Sequence, residues 1–203
     1  ACAPYRRLHL CHHNLESIDT TSTTHKLLLE VCMAAKHEGD SIKTHYTKYK
    51  VTNEGTAYQL CTVLARSFAD IGDIIRGKDL FYGNPQEKEK RDELENKLKD
   101  IFAKIHNGLD GKTLQARYKK DDDNYYELRE DWWDANRATI WEALTCDEDN
   151  KLAGAHYFRQ TCGSNAKTGT QASHKCRCPK TSGTSGDVNI DPPTYFDYVP
   201  QYL

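Results

Sequence analysis

Eight cysteines, at positions 2, 11, 32, 61, 146, 162, 176 and 178, are the residues of this 203-residue chain with the most chemistry to offer. Such a density is unusual for a chain kept in a reducing compartment, and the even number favours disulfides. Zinc is the competing use. His174-x-Cys176-x-Cys178 with Cys162 upstream supplies four soft ligands. It lacks the two-residue gap by which paired ligands wrap a tetrahedral ion in ribbons and fingers, so disulfides are the stronger expectation. Spacing alone leaves the pairing open.

Catalytic groups are weaker still. Glu127, Glu130, Asp131 and Asp134 lie in a segment of alternating charge, where pairing with Arg129 or Arg137 three or four residues away accounts for them without acid–base work. The run Gly163 to Thr170 imitates a phosphate loop, but its lysine does not follow the second glycine and no strand signal precedes it. His12 and His13 are adjacent, and adjacent imidazoles point apart in helix and strand alike. No nucleophile and base can be matched by spacing. The expectation is a protein without catalytic residues, cofactor or metal, and a zinc-dependent enzyme using Cys162, His174, Cys176 and Cys178 is the remote alternative.

Two basic groups stand out against a balanced background. Between Asn150 and Gly186 lie six basic residues and no acidic one. A second group, Lys112, Arg117, Lys119 and Lys120, ends at Asp121-Asp122-Asp123. Cationic, Ser/Thr-rich loops can pair in a salt-sensitive way with a sulphated glycan or an acidic protein surface, although lysines also serve simply to solvate a loop. The candidate contact residues are Lys112, Arg117, Lys119 and Lys120 with Lys167, Lys175, Arg177 and Lys180.

The whole chain balances 28 basic against 30 acidic residues for a net charge of −2, which argues against a uniformly basic nucleic-acid coat. With 37% hydrophobic residues it can bury a core, and a mean hydropathy of −0.82 implies a polar surface. The longest apolar stretch, residues 27–35, is interrupted by Glu30, so no membrane insertion is expected. The start at Ala1, without an initiator Met or leader, suggests a fragment of a longer protein. No Asn-x-Ser/Thr acceptor occurs among its asparagines.

Four amphipathic segments would position these groups. Residues 24–38 place Leu27, Leu28, Val31, Cys32 and Ala35 on one face, with Gly39 as a stop. Residues 56–76 carry Ala57, Leu60, Leu64, Phe68, Ile71 and Ile75 in steps of three and four. Residues 86–107 are densely charged around Leu94, Leu98, Ile101, Phe102 and Ile105. Residues 124–145, capped by Asp123, display Tyr125, Leu128, Trp132, Ile140, Trp141 and Leu144. After Cys146, Gly, Ser, Thr and Pro crowd the chain and helical periodicity ends. The fold class is mainly α, a helical bundle with a disulfide-pinned loop region.

Five stretches together resemble one family: Cys2 to Cys11 (CAPYRRLHLC), Ala65 to Ile74 (ARSFADIGDI), Asp131-Trp132-Trp133, Ile140 to Cys146 (IWEALTC), and Tyr195 to Leu203 (YFDYVPQYL). They resemble the Duffy-binding-like domains of malaria parasites, most of all the alpha class of the Plasmodium falciparum erythrocyte membrane protein 1 variant surface antigens. The resemblance implies that residues 1–23 are the end of a first subdomain and linker, 24–146 the helical core of the second, and 147–203 the pinned loop leading to an absent third. It implies disulfides Cys61–Cys178, Cys32–Cys146 and Cys162–Cys176, with Cys2 and Cys11 bonded outside the fragment.

The same resemblance implies adhesion: display on the extracellular face of the infected erythrocyte membrane, binding of a host cell-surface receptor, cytoadherence or rosetting, and antigenic variation under host antibodies. Partners for the class include heparan sulphate, blood-group sugars and complement receptor, with no nucleic acid. The four-cysteine form of residues 146–178 resembles the forms outside the severe-disease group. A structural spacer or immune decoy without its own receptor site is the alternative.

Overall fold

The computed structural model describes residues 7, 9–21, 24–52, 57–81, 83–109, 117–149, 151–162, 169–172, 175–178 and 191–199; of residues 47–52 and 57–58 it describes the backbone only. Among the described residues the helices are α1 (His13–Glu16), α2 (Thr24–Thr52), α3 (Ala57–Arg76), α4 (Pro85–Asn107) and α5 (Tyr126–Leu144), followed by a 3₁₀ turn at Phe196–Tyr198. The described residues contain no strand, only an antiparallel bridge between Cys162 and Thr170. Among the described residues no helix is long and apolar enough to cross a membrane.

Helix α3 is the centre of the bundle. Its expected apolar row is buried from Leu60 to Ile75, and from Ser67 to Arg76 every residue is buried, so neighbours cover that stretch on all sides. Helices α2 and α5 pack on it and on each other, and α4 lies along α5. Phe68 stands between Trp133 and Trp141, with ring centroids 5.0 and 5.2 Å away. Gly72 admits Trp133 because a Cβ there would lie 2.8 Å from the indole. All three tryptophans are buried, and Phe102 meets Trp132 edge-on.

Burial of α3 from Ser67 to Arg76 forces the polar side chains there to find partners inside. Ser67 donates to Glu38 of α2 at 2.7 Å, and Glu38 also accepts from the Cys11 backbone N–H. Arg76 donates to Asp73 at 2.9 Å and to the Gly72 carbonyl at 3.1 Å. Burial pushes the Asp73 carboxyl up to about 7 despite Arg76, with Asp70 and Asp79 adding like-charge repulsion. A raised carboxyl pKa means that the folded state binds the extra proton between the unfolded value and about 7, so stability falls as pH rises through 7. Between pH 6 and pH 8 the loss is about 1.4 kcal/mol. Chemical denaturation at the two pH values should show it, and Asp73→Asn should flatten the difference.

Helix boundaries follow local chemistry. Helix α4 begins with a capping box, in which Asn84 accepts from Glu87 N–H and Glu87 accepts from Asn84 N–H, with Pro85 in the first turn. Two boundaries depart from expectation. Gly39 does not stop α2, which runs on to Thr52. A Cβ at 39 would sit 2.0 Å from the Leu144 carbonyl oxygen, so the glycine is needed for the close approach of α2 to the end of α5. Asp123 does not cap α5: Tyr125 precedes it with φ 57°, and Asp121 accepts the Leu128 N–H instead.

The loop region is pinned by two disulfides, Cys61–Cys176 and Cys162–Cys178. The expected partners, Cys61–Cys178 and Cys162–Cys176, are therefore exchanged. Lys175 and Cys176 both have positive φ, 51° and 57°, which turns the chain so that Cys176 enters the core. There Trp141 donates to the Cys176 carbonyl, beside Cys61 on α3. Cys178 stays half-buried near the rim, opposite Cys162. The expected Cys32–Cys146 bridge is not formed either: Cys32 lies against Glu142, whereas Cys146 faces a cleft with Lys36, Asp40 and Lys43. Among the described residues Cys11 has no disulfide partner, and Cys2 lies outside them.

Candidate receptor-contact surface

The two basic groups are attached at different levels of α5. Arg117 grips Asp131 through a two-pronged pair, with Nε 2.7 Å and Nη2 2.9 Å from the carboxylate oxygens. Tyr118 donates to the same carboxylate at 2.8 Å, and Arg117 leans over the Tyr118 ring. These bonds, Arg117 foremost, hold the Asp131 carboxyl below the usual range. The effect is to fix the backbone from which Lys119 and Lys120 project. Both lysines are exposed, and neither is ion-paired with a described residue.

Arg177 and Lys175 are placed otherwise. Helix α5 has no basic residue in its last turn, so its terminal carbonyls lack their own cation. Arg177 reaches in from the loop, donating to the Glu142 carbonyl at 2.9 Å and to Thr145 Oγ1 at 2.8 Å. Lys175 donates to the Asp147 carbonyl at 3.2 Å. Both are half-buried; Arg177 staples the loop to the helix, and Lys175 ties it to the segment just after the helix end. Lys112, Lys167 and Lys180 lie outside the described residues.

From Asp131 to Glu142 is eleven residues, about 16 Å along α5, and eleven steps of 100° return to nearly the same face. The described anchors of the two groups, Arg117 at Asp131 and Arg177 at Glu142, thus border one side of α5 without converging. Between them lie Ala135, Ala138 and Thr139, none of them buried.

An exposed aromatic group at Tyr195 and Tyr198 lies apart from both basic groups in sequence. Tyr195 is 74% exposed, and Tyr198, Val199 and Phe158 are exposed as well. The tyrosine rings lie 6.4 Å apart over the Arg137 guanidinium, and Tyr198 donates to Asp134 at 3.0 Å. Tyrosine presents large contact area at low rotamer cost, and the sequence signal that could have exposed this group is Tyr-x-x-Tyr in a Pro-flanked, non-helical segment.

Three of the four carboxylates of α5 that could do acid–base chemistry are engaged. Asp131 is held by Arg117, Glu130 pairs with Arg76 and Lys78, and Asp134 accepts from Tyr198. Three of the four proposed zinc ligands, Cys162, Cys176 and Cys178, are tied in disulfides, which removes the thiolates that reading requires. Burial pushes the thiols of Cys11 and Cys32 up to about 11, with Glu38 and Glu142 adding to it, so both are protonated at neutral pH and poor nucleophiles.

The chain is 28% identical over 158 residues to the Duffy receptor beta form of Plasmodium knowlesi and 28% over 163 residues to the Duffy receptor of Plasmodium vivax. Each alignment takes in 75% of this chain but only 12% and 13% of the relative, so the chain spans about an eighth of those receptors. Among solved structures, the NTS-DBL1(alpha-1) domain of Plasmodium falciparum membrane protein 1 (PfEMP1) from the varO strain shares 40% identity. Its TM-score is 0.74, over 99% of this chain and 41% of that one. A PfEMP1 DBLbeta domain solved bound to ICAM-1 is 34% identical with a TM-score of 0.59, over 72% of this chain and 36% of that one. The model of the Duffy binding domain matches residues 1–203, and the chain belongs to that family.

Proposed function

We propose that this chain is part of a host-receptor-binding adhesion module of a parasite surface antigen, displayed on the extracellular face of the infected red cell. The observation that carries the reading is the exposed Lys119–Lys120 pair on a backbone fixed by Arg117, Tyr118 and Asp131. A relative solved bound to ICAM-1 and two Duffy receptors support a host receptor as the class of partner. The proposed contacts are Lys119 and Lys120, with Arg117 as their positioner and Lys112, Lys167 and Lys180 joining them from sequence. Lys175 and Arg177 contribute by holding the loop that presents the second group. Sulphated glycan such as heparan sulphate is the partner that this charge favours; blood-group sugars and complement receptor are the other candidates. Cytoadherence or rosetting, with variation under host antibodies, follows from display of such a surface.

The test is binding of the complete surface domain to heparin and to red cells across a salt series. Attachment that weakens steadily as salt rises supports the reading. Attachment to neither surface at low salt favours a spacer or immune decoy.

A further inference from the structure

The 3₁₀ turn is held to the bundle by buried charge. Asp197 is 1% exposed, and its carboxylate accepts from Arg137 Nε at 2.9 Å, Arg137 Nη2 at 2.7 Å and Trp133 Nε1 at 2.9 Å. Arg76 of α3 donates to the Asp197 carbonyl. Arg137 also donates to the Thr194 carbonyl at 2.9 Å, and Thr161 donates to the carbonyl of Pro193. Going back along the chain, the first covalent anchor is Cys178, bonded to Cys162, and the next is Cys176, bonded to Cys61 on α3.

We propose that this cluster is a tension latch. A pull on the polypeptide after residue 199 meets Tyr198, bonded to Asp134 of α5, and then Asp197, held by α3 and α5, and it does not reach the disulfide-braced loop until Asp197 leaves its site. Three donors on two helices converge on one residue, so the contact must break as a unit. Once it breaks, the next covalent stop is Cys178. That is 19 peptide links from residue 178 to residue 197, an extension of at most about 65 Å. The disulfides then stop further release. The loop that carries Lys175 and Arg177 thereby keeps its place on α5 under load. The use of such a latch rests on the adhesion reading, since a tethering domain carries tension; the latch itself is a property of the fold.

The test is single-molecule pulling on the complete surface protein, with handles placed just before Ala1 and just after Leu203 and no receptor present. Under oxidising conditions the expected record contains a discrete step of up to about 65 Å. Reductant should add a further release of up to about 115 Å as the 34 links from Leu144 to Cys178 are freed. Asp197→Asn should at least halve the force of the first step and leave the other steps unchanged. Arg137→Lys, which keeps the buried charge but loses the two-pronged grip, should lower it by less. Absence of the first step from the unmodified protein overturns the latch, as does an unchanged step force in the variants that fold. Neither result touches receptor binding, and loss of receptor binding in the salt series would leave the latch standing.

Discussion

Replacing Cys61 and Cys176 together by serine should destabilise the fold by about 4–5 kcal/mol, against about 3 kcal/mol for the Cys162 and Cys178 pair. The difference comes from loop length. Cys61–Cys176 closes 115 residues, and Cys162–Cys178 closes 16. A cross-link restricts the unfolded chain more when the loop it closes is longer. Site also matters: Cys61 and Cys176 are fully buried in the core, whereas Cys178 is half-buried. Urea unfolding of the two double variants checks the order. Equal losses, or a larger loss for the short loop, would contradict the pairing, and peptide mapping after digestion without reductant reads the linkages directly.

Arg129→Ala should cost about 3–5 kcal/mol, enough to unfold a marginal domain at body temperature. Arg129 is completely buried on α5. It donates to the Ile75 carbonyl at 2.7 Å, where α3 ends, and to both oxygens of Glu95 on α4 at 2.7 and 2.9 Å. Its guanidinium also lies over Phe102, and it fills the space beside Gly77, where φ is +70°. One side chain thus ties three helices, and its removal leaves Glu95 and a helix-end carbonyl unpaired next to a cavity. Glu95→Gln should cost less, because the amide oxygen still accepts from the guanidinium. Thermal unfolding of both variants separates the effects.

The helices were legible because their apolar residues recur at the helical period, and α3 and α4 fall within a residue of expectation. Gly39 misled for a physical reason: a glycine that ends a helix and one that lets two helices touch look the same in sequence. The short turn α1 carries one buried apolar residue, Leu15, too few for a period to show. The disulfide partners turned on a backbone reversal at Lys175 and Cys176 that their residue types do not advertise. The basic residues show the sharpest limit. Arg177 and Lys119 are equally cationic in sequence, yet one meets the carbonyl end of α5 and the other projects to solvent. Only the absence of a cation in the last turn of α5 hinted at the first role.

The central claim is that Lys119 and Lys120 belong to the receptor-contact surface while Arg177 holds the loop in place. Its most direct test compares Lys119→Glu/Lys120→Glu with Arg177→Gln in the complete domain, reading heparin affinity over a salt series beside the unfolding midpoint. The account predicts that the double reversal weakens binding roughly three- to tenfold at low salt, flattens the salt dependence and leaves the midpoint unchanged. Arg177→Gln should lower the midpoint while the folded protein keeps most of the salt dependence. Unchanged binding in the double variant, with the salt dependence lost in Arg177→Gln instead, would contradict it.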